Sequence, residues 1–240
     1  MASLVLSGAK LFMGAYELSG DVNALALKYG AETKDNTPIN AATRTRAPGL
    51  KDFSFQHEGF WNGGAGAVDD ALFNSVLGVN NVPMTIGPLT GAEGELAYFG
   101  QVDAGEYAPG AKIGNMLGFS VSGGGNSDLV RGTILSNAAR TVTGTGTIFN
   151  LGAVGALQKL WGALHFTALG GSGTLIVKIQ SAALIGFGSP TDRITFSTLA
   201  GIGSQFAAPV AGAITDAFWR ATWTISGFSS CTFAVSGGIK

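Results

Sequence analysis

Apolar and polar residues alternate along this chain with a period of two, and that pattern narrows its fold more than any other feature. Near the end, Trp219, Ala221, Trp223 and Ile225 share one parity, and Arg220, Thr222 and Thr224 take the other. After a Gly and two serines, Cys231, Phe233 and Val235 alternate with Thr232, Ala234 and Ser236. Successive side chains of a strand point to opposite faces, so this is the signature of half-buried antiparallel strands. The two runs are expected to form a terminal hairpin that closes an outer sandwich, with Trp219, Trp223 and Phe233 in its core.

The same alternation aligns Leu25, Leu27 and Tyr29, then Phe53, Phe55 and Trp61, then Leu175, Val177 and Ile179, then Ile194 and Phe196. Glycine-rich turns are expected between strands at 122–125, 170–173 and 186–190. With 38 glycines in 240 residues and no Gly-X-Y period, many tight turns account for the excess.

One stretch departs from period two. "VDDALFNSVLG" places Asp69 at an N-cap, Leu72, Phe73, Val76 and Leu77 on one stripe, and Gly78 at the stop, which predicts a short helix. Between Ala31 and Gly49 lies "AETKDNTPINAATRTRAPG", polar, bearing both charges and two prolines, with no apolar period. A loop of that length is either functional, docking onto a neighbour, or solvated and disordered. The fold class expected is therefore all-β with one short helix. Residues 1–140 form an N-terminal β-sandwich or barrel carrying the loop 31–49, and residues 141–240 a C-terminal β-sandwich. No strong sequence repeat relates the two.

Charge supports the division. Residues 1–140 hold 13 Asp/Glu against 9 Lys/Arg, and residues 141–240 hold 2 against 5. The net charge of −1 excludes a generally basic nucleic-acid binder. Only 12% of residues are charged, well below the usual quarter or so. Either other subunits cover much of the surface, or it is coated with Ser, Thr and Gly. The opening "MASLVLSGAKLFMG" has no basic segment and no sustained apolar core, so it is not expected to be a signal peptide. No apolar run approaches the 18 or so residues of a membrane span.

Chemistry is sparse. His57 and His165 have no metal-ligating companions at useful spacing, and neither HExxH nor CxxC occurs. His57 is expected at the surface and His165 in a structural role. The single cysteine, Cys231, lies on an apolar parity and is expected to be a buried thiol. "GFSVSGGG" fails as a nucleophile elbow, because Ser122 stands where Gly is needed. There is no P-loop. Glu93 and Glu95 share a strand parity as surface acids. Residues 141–240 offer only Asp192 and Asp216 for paired-carboxylate chemistry. Arg220 is expected to cover an aromatic ring or to pair with Asp216. No catalytic, cofactor-binding or metal-ligating residue is expected, and no cofactor.

The run "YELSGDVNALALKYGAETKDNT", followed by "TRTRAPGLKDFSFQHEGFW" and "GAEGELAYFGQVDAGEYAPGAKIGNMLGFSVSGGG", resembles tail tube proteins of long-tailed, siphovirus-like bacteriophages. The remainder, "LWGALHFTALGGSGTLIVKIQSA" through the C-terminus, is similar to β-sandwich modules appended to phage virion proteins. The resemblance implies a structural virion protein, made in the host cytoplasm and located in the phage tail. Six copies would join their inner sheets into one barrel, and such rings would stack into a tube. Its partners would be itself and other tail proteins, with DNA passing through the lumen without specific binding and no membrane involved. The loop 31–49 lies where related subunits reach the adjacent ring, which makes Glu32, Asp35, Arg44 and Arg46 inter-ring contact residues. Two other classes compete: a capsid decoration or carbohydrate-binding β-sandwich protein, and a hydrolase on a jelly-roll scaffold. The missing carboxylate pair or triad disfavours the hydrolase.

Overall fold

The computed structural model describes residues 8–240 of the chain. The opening segment read above as no signal peptide falls partly outside that range. Among the described residues the first half contributes β1 (Lys10–Met13), β2 (Tyr16–Glu17), β3 (Val22–Asp35), β4 (Arg46–Phe60), α1 (Val68–Ala71), β5 (Val82–Gly87), β6 (Leu96–Gly110), β7 (Gly118–Gly125) and β8 (Val130–Arg140). The second half contributes β9 (Gly144–Thr145), β10 (Phe149–Asn150), β11 (Lys159–Gly170), β12 (Thr174–Ala182), β13 (Thr191–Thr195), β14 (Gly203–Phe206), β15 (Val210–Ala211), β16 (Phe218–Ser226) and β17 (Ser230–Ile239). The chain is all-β with one short helix, and every strand pair is antiparallel.

One large sheet runs β14–β11–β17–β8–β6–β5–β1–β2. The long strand β6 is its branch point. Its first part lies between β5 and β8, and residues Val102–Gly110 pair with β7, which carries β4 and then β3. A second sheet, β10–β16–β12–β13 with β9 on β16, faces the β11–β17–β8 region. Residue 140, the expected boundary, is the last of β8, and β8 pairs with β17, so the large sheet holds strands from both sides of it.

Three apolar clusters lie among the described residues, the smallest around Phe99, Val130, Ile134 and Trp161 of the large sheet. In the first half, Phe53, Phe55, Phe119 and Val121 meet Val68, Leu72 and Val76 of the helical segment. In the second, Trp219, Trp223, Leu175, Val177 and Ile179 of one sheet meet Phe166, Phe233 and Val235 of the other. Burying residues of this size stabilises by about 1.5–3 kcal/mol each.

Several expectations need correction. The last two strands are not a hairpin: β16 pairs with β12, and β17 pairs with β11 and β8, in different sheets. The link between them arches across the sandwich, with Gly227 at φ +85°. Pairing side by side would turn both apolar faces one way. The arch instead brings them face to face, with the Trp223 and Phe233 rings 5.6 Å apart.

Glycines 123–125 are not a turn but the end of β7. A Cβ on Gly125 would fall 2.2 Å from the Phe53 ring, and one on Gly123 2.3 Å from the Asp103 carbonyl. The residues are small because neighbouring rings and backbone occupy their space.

In the helix, Ala67 rather than Asp69 is the N-cap, and α1 continues as a π turn over Leu72–Val76. That wider turn leaves Phe73 exposed, outside the buried stripe. Gly78, with φ +71°, does end the segment.

Candidate functional site

The groups singled out for chemistry are held in structural roles. His57 is buried rather than at the surface, because it shares the parity of Phe53 and Phe55. It stacks on Phe55 and meets Phe119 edge-on, and neither ring nitrogen has a hydrogen-bond partner. Burial lowers its pKa from 6.5 to about 4. His165 is fully buried and bonded through both nitrogens, to Gly14 and Thr85. Burial also lowers its pKa to about 4.

Cys231 is a free, buried thiol whose pKa burial raises. Arg220 lies 4.3 Å over the Phe187 ring and donates to Gln180 Oε1, while Asp216 pairs with Arg193 at 3.0 Å. Of the two roles expected for Arg220, the structure therefore shows the aromatic one. Glu93 and Glu95 lie before β6, not within a strand. Glu93 pairs with Arg140, and Glu95 accepts from the Thr90 N–H at 2.8 Å. No group of three metal-ligating side chains occurs among the described residues.

What the fold presents instead are surfaces. The stretch 31–49, expected as a loop, is strand at both ends: Ala31 pairs with Lys51, Thr33 with Pro48, and Asp35 with Arg46, leaving a turn over 36–45. β7 pairs with β4 only over Ser54–Phe60, so among the described residues the segment 30–52 forms a two-stranded arm with no third strand. This explains the missing apolar period. A ribbon with no core on either face has no buried parity to record.

The arm carries all four expected contact residues. Glu32 pairs with Lys34, a solvent-exposed interaction of small energy. Asp35 accepts from the Thr37 hydroxyl and N–H, at 2.5 and 2.9 Å, and these bonds lower its pKa. The Thr37 hydroxyl also accepts from the Thr45 N–H at 2.9 Å, tying the turn shut. Among the described residues Arg44 and Arg46 have no acidic partner. The structure thus brings the four residues onto one arm, with Asp35 and Arg46 opposite each other in register, and among the described residues no ion pair joins any two of them.

The base of the arm continues into a four-stranded sheet, β3–β4–β7–β6. Among the described residues β3 pairs on one side only, and so do residues Gly105–Gly110 of β6. The sheet therefore has open backbone edges on both flanks, an arrangement that invites pairing with another chain. One face rests on the apolar core. The other carries Lys28 from β3, Asp52, Ser54, Gln56 and Glu58 from β4, Ser120 and Ser122 from β7, and Glu106 from β6. Gln56 donates to Glu58 at 2.9 Å and Ser122 to Glu106 at 3.3 Å. The alternation on β4 signals this face in the sequence; the open edges leave no such signal.

A latch that sequence reasoning missed supports the far end of this sheet. Asp69 Oδ1 accepts from the Trp61 indole at 3.0 Å and the Tyr107 hydroxyl at 2.6 Å. Burial, together with this carboxylate, raises the Tyr107 pKa above the usual phenol range.

No protein-family model and no curated protein matches the chain. Among solved structures it is similar to a protein of the virion of a native gene transfer agent particle, at 13% identity and a TM-score of 0.34, over 45% of this chain and 82% of that one. It is likewise similar to a protein in the tail of the empty gene transfer agent particle, refined with C6 symmetry, at 12% identity and a TM-score of 0.35, over 45% and 80%. A third similarity spans 98% of this chain and all of the Dit protein (gp 19.1) of phage SPP1, a hub adsorption apparatus protein, at 9% identity and a TM-score of 0.41.

Proposed function

We propose that this chain is a structural protein of a phage tail whose copies join edge to edge into rings, and that the rings stack into a tube conducting DNA. The observation that carries this reading is the four-stranded sheet with an open edge on each flank. When β3 of one copy pairs with residues 105–110 of the next, two different surfaces meet. Such heterologous contacts close into a ring when the rotation allows. Closure removes both of these exposed edges, as in a barrel. Six copies per ring is the number that the family resemblance suggests.

In such a ring the polar face of the sheet lines the lumen. Its acidic side chains are Asp52, Glu58 and Glu106, against Lys28. DNA carries about one negative charge per 1.7 Å of axis, so an acidic wall repels phosphate and lets the duplex slide. The second sheet and the strands facing it, from residues 141–240, then stand on the outside.

Electron microscopy of the purified protein tests the reading. Hollow filaments or rings with an open centre are expected, and a monodisperse monomer at high concentration contradicts it.

A further inference from the structure

We propose that Asn62 is a site of spontaneous, one-way covalent modification. Its side-chain amide is exchanged for a carboxylate through a succinimide ring closed by the Gly63 nitrogen.

The sequence supplies the pair and the fold requires it. Asn62 is the one asparagine of the chain that is followed by glycine. Ring closure brings the backbone nitrogen of the next residue onto the asparagine Cγ. A side chain on that next residue obstructs the approach, whereas glycine has none and turns freely. Packing fixes the glycine in place. A Cβ at Gly63 would come within 2.3 Å of the Trp61 ring, and the Trp61 indole is itself held by Asp69 at 3.0 Å.

The loop gathers the reacting groups. Asn62, Gly63 and Gly64 are all exposed, in the connection between β4 and α1. Asn62 Oδ1 accepts from the Gly64 N–H at 3.2 Å. A side chain that reaches the N–H two residues on lies over the peptide between. Cγ is therefore turned towards the Gly63 nitrogen, and the hydrogen bond draws electrons away from it. The Asn62 carbonyl accepts from the Asp69 N–H at 3.1 Å, which pins the loop from its other side. Among the described residues the Gly63 N–H and Asn62 Nδ2 have no hydrogen-bond partner, so neither has to be freed first. Other side-chain amides are tied: Asn74 Nδ2 donates to Asp70, Asn126 Nδ2 to the Asn81 side chain and Asn137 Nδ2 to the Gly91 carbonyl, each at 2.8 Å.

Hydroxide takes the Gly63 amide proton. The nitrogen bonds to Cγ, the Cγ–Nδ2 bond breaks, and ammonia leaves with a proton from water. Water then opens the ring. Attack at Cγ restores the chain with an aspartyl side chain. Attack at the former Asn62 carbonyl carbon gives an isoaspartyl link, with one more carbon in the chain between Trp61 and its partner Asp69. Either product adds a negative charge to a loop that already holds Asp69 and Asp70.

The test keeps the full-length protein folded at mildly alkaline pH in heavy-oxygen water, digests it in ordinary water at acidic pH and maps the peptides by mass spectrometry. Heavy oxygen marks conversion that preceded digestion. The peptide bearing Asn62 should take up label about an order of magnitude faster than those bearing Asn74 or Asn126, whose next residue is serine. Ion-exchange chromatography should show a more acidic species growing in the wild type and not in Asn62→Gln, with thermal melting as the check that the variant keeps its fold. A parallel sample in guanidinium gives the rate in the unfolded chain. Folded protein labelled at Asn62 no faster than at Asn126 overturns the proposal. So does a folded rate well below the unfolded one, since the loop would then shield the site and not present it.

Discussion

Thr85 and His165 lie 80 residues apart in sequence, and their side chains meet at 2.8 Å. The other ring nitrogen, Nδ1, is 2.8 Å from the Gly14 carbonyl, which can only accept. Nδ1 therefore carries the proton, and Nε2 accepts from the Thr85 hydroxyl. One imidazole of β11 thus ties β5 and the β1–β2 turn to the second half of the chain. Thr85→Val removes the donor and leaves Nε2 buried and unpaired. The expected loss is about 1–3 kcal/mol in urea unfolding, with an unchanged slope. An unchanged midpoint would show that the bond does not join the halves.

The two buried histidines predict acid sensitivity. Each has a folded pKa near 4 against an ordinary 6.5, so the unfolded chain binds the extra protons first. Their contribution to stability is fully present above about pH 6.5 and is lost as pH falls towards 4. His57, with no partner at either nitrogen, is the cleaner probe. In His57→Leu the fall in stability between pH 6.5 and 5 should be shallower than in the wild type. Parallel curves would argue against a buried neutral imidazole.

Gly125→Ala tests why the glycines of β7 are small. The added carbon meets the Phe53 ring, and overpacking of this kind destabilises by about 1–3 kcal/mol. Gly124→Ala, where the added carbon has nothing within 4 Å, is the control and should stay within about 1 kcal/mol of wild type. Equal stabilities for the two variants would contradict the packing.

Replacing residues 33–47 by a two-residue Asn-Gly turn removes most of the arm without touching any of the apolar clusters. Circular dichroism should report an unchanged fold and a melting midpoint within a few degrees. Stacked assemblies should disappear from electron micrographs. Full-length tubes from this variant would remove the arm from the assembly mechanism.

Much of the strand content was legible because burial writes itself into parity. Leu175, Val177 and Ile179 fall on one face of β12, and Trp219, Ala221 and Trp223 on one face of β16. The same rule places His57 inward with Phe53 and Phe55, against the usual surface preference of a histidine. Pairing was not legible. Parity says which face of β16 and β17 is buried, not whether the two strands lie beside each other or across a core. The arm was hidden for the converse reason, since a ribbon solvated on both faces has no apolar period. Glu32, Asp35, Arg44 and Arg46 were singled out by the family resemblance, which implies an inter-ring role for the segment that carries them; no apolar period marks them. The latch of Asp69 on Trp61 and Tyr107 joins chain segments that only the fold brings together.

Amide hydrogen exchange on the assembled protein addresses edge-to-edge joining most directly. β3 and residues 105–110 have open edges in the single chain, so in assemblies their outward N–H groups should become as slow to exchange as those of β4. Assemblies in which both edges exchange as fast as the exposed turn at 36–45 would contradict strand pairing between copies.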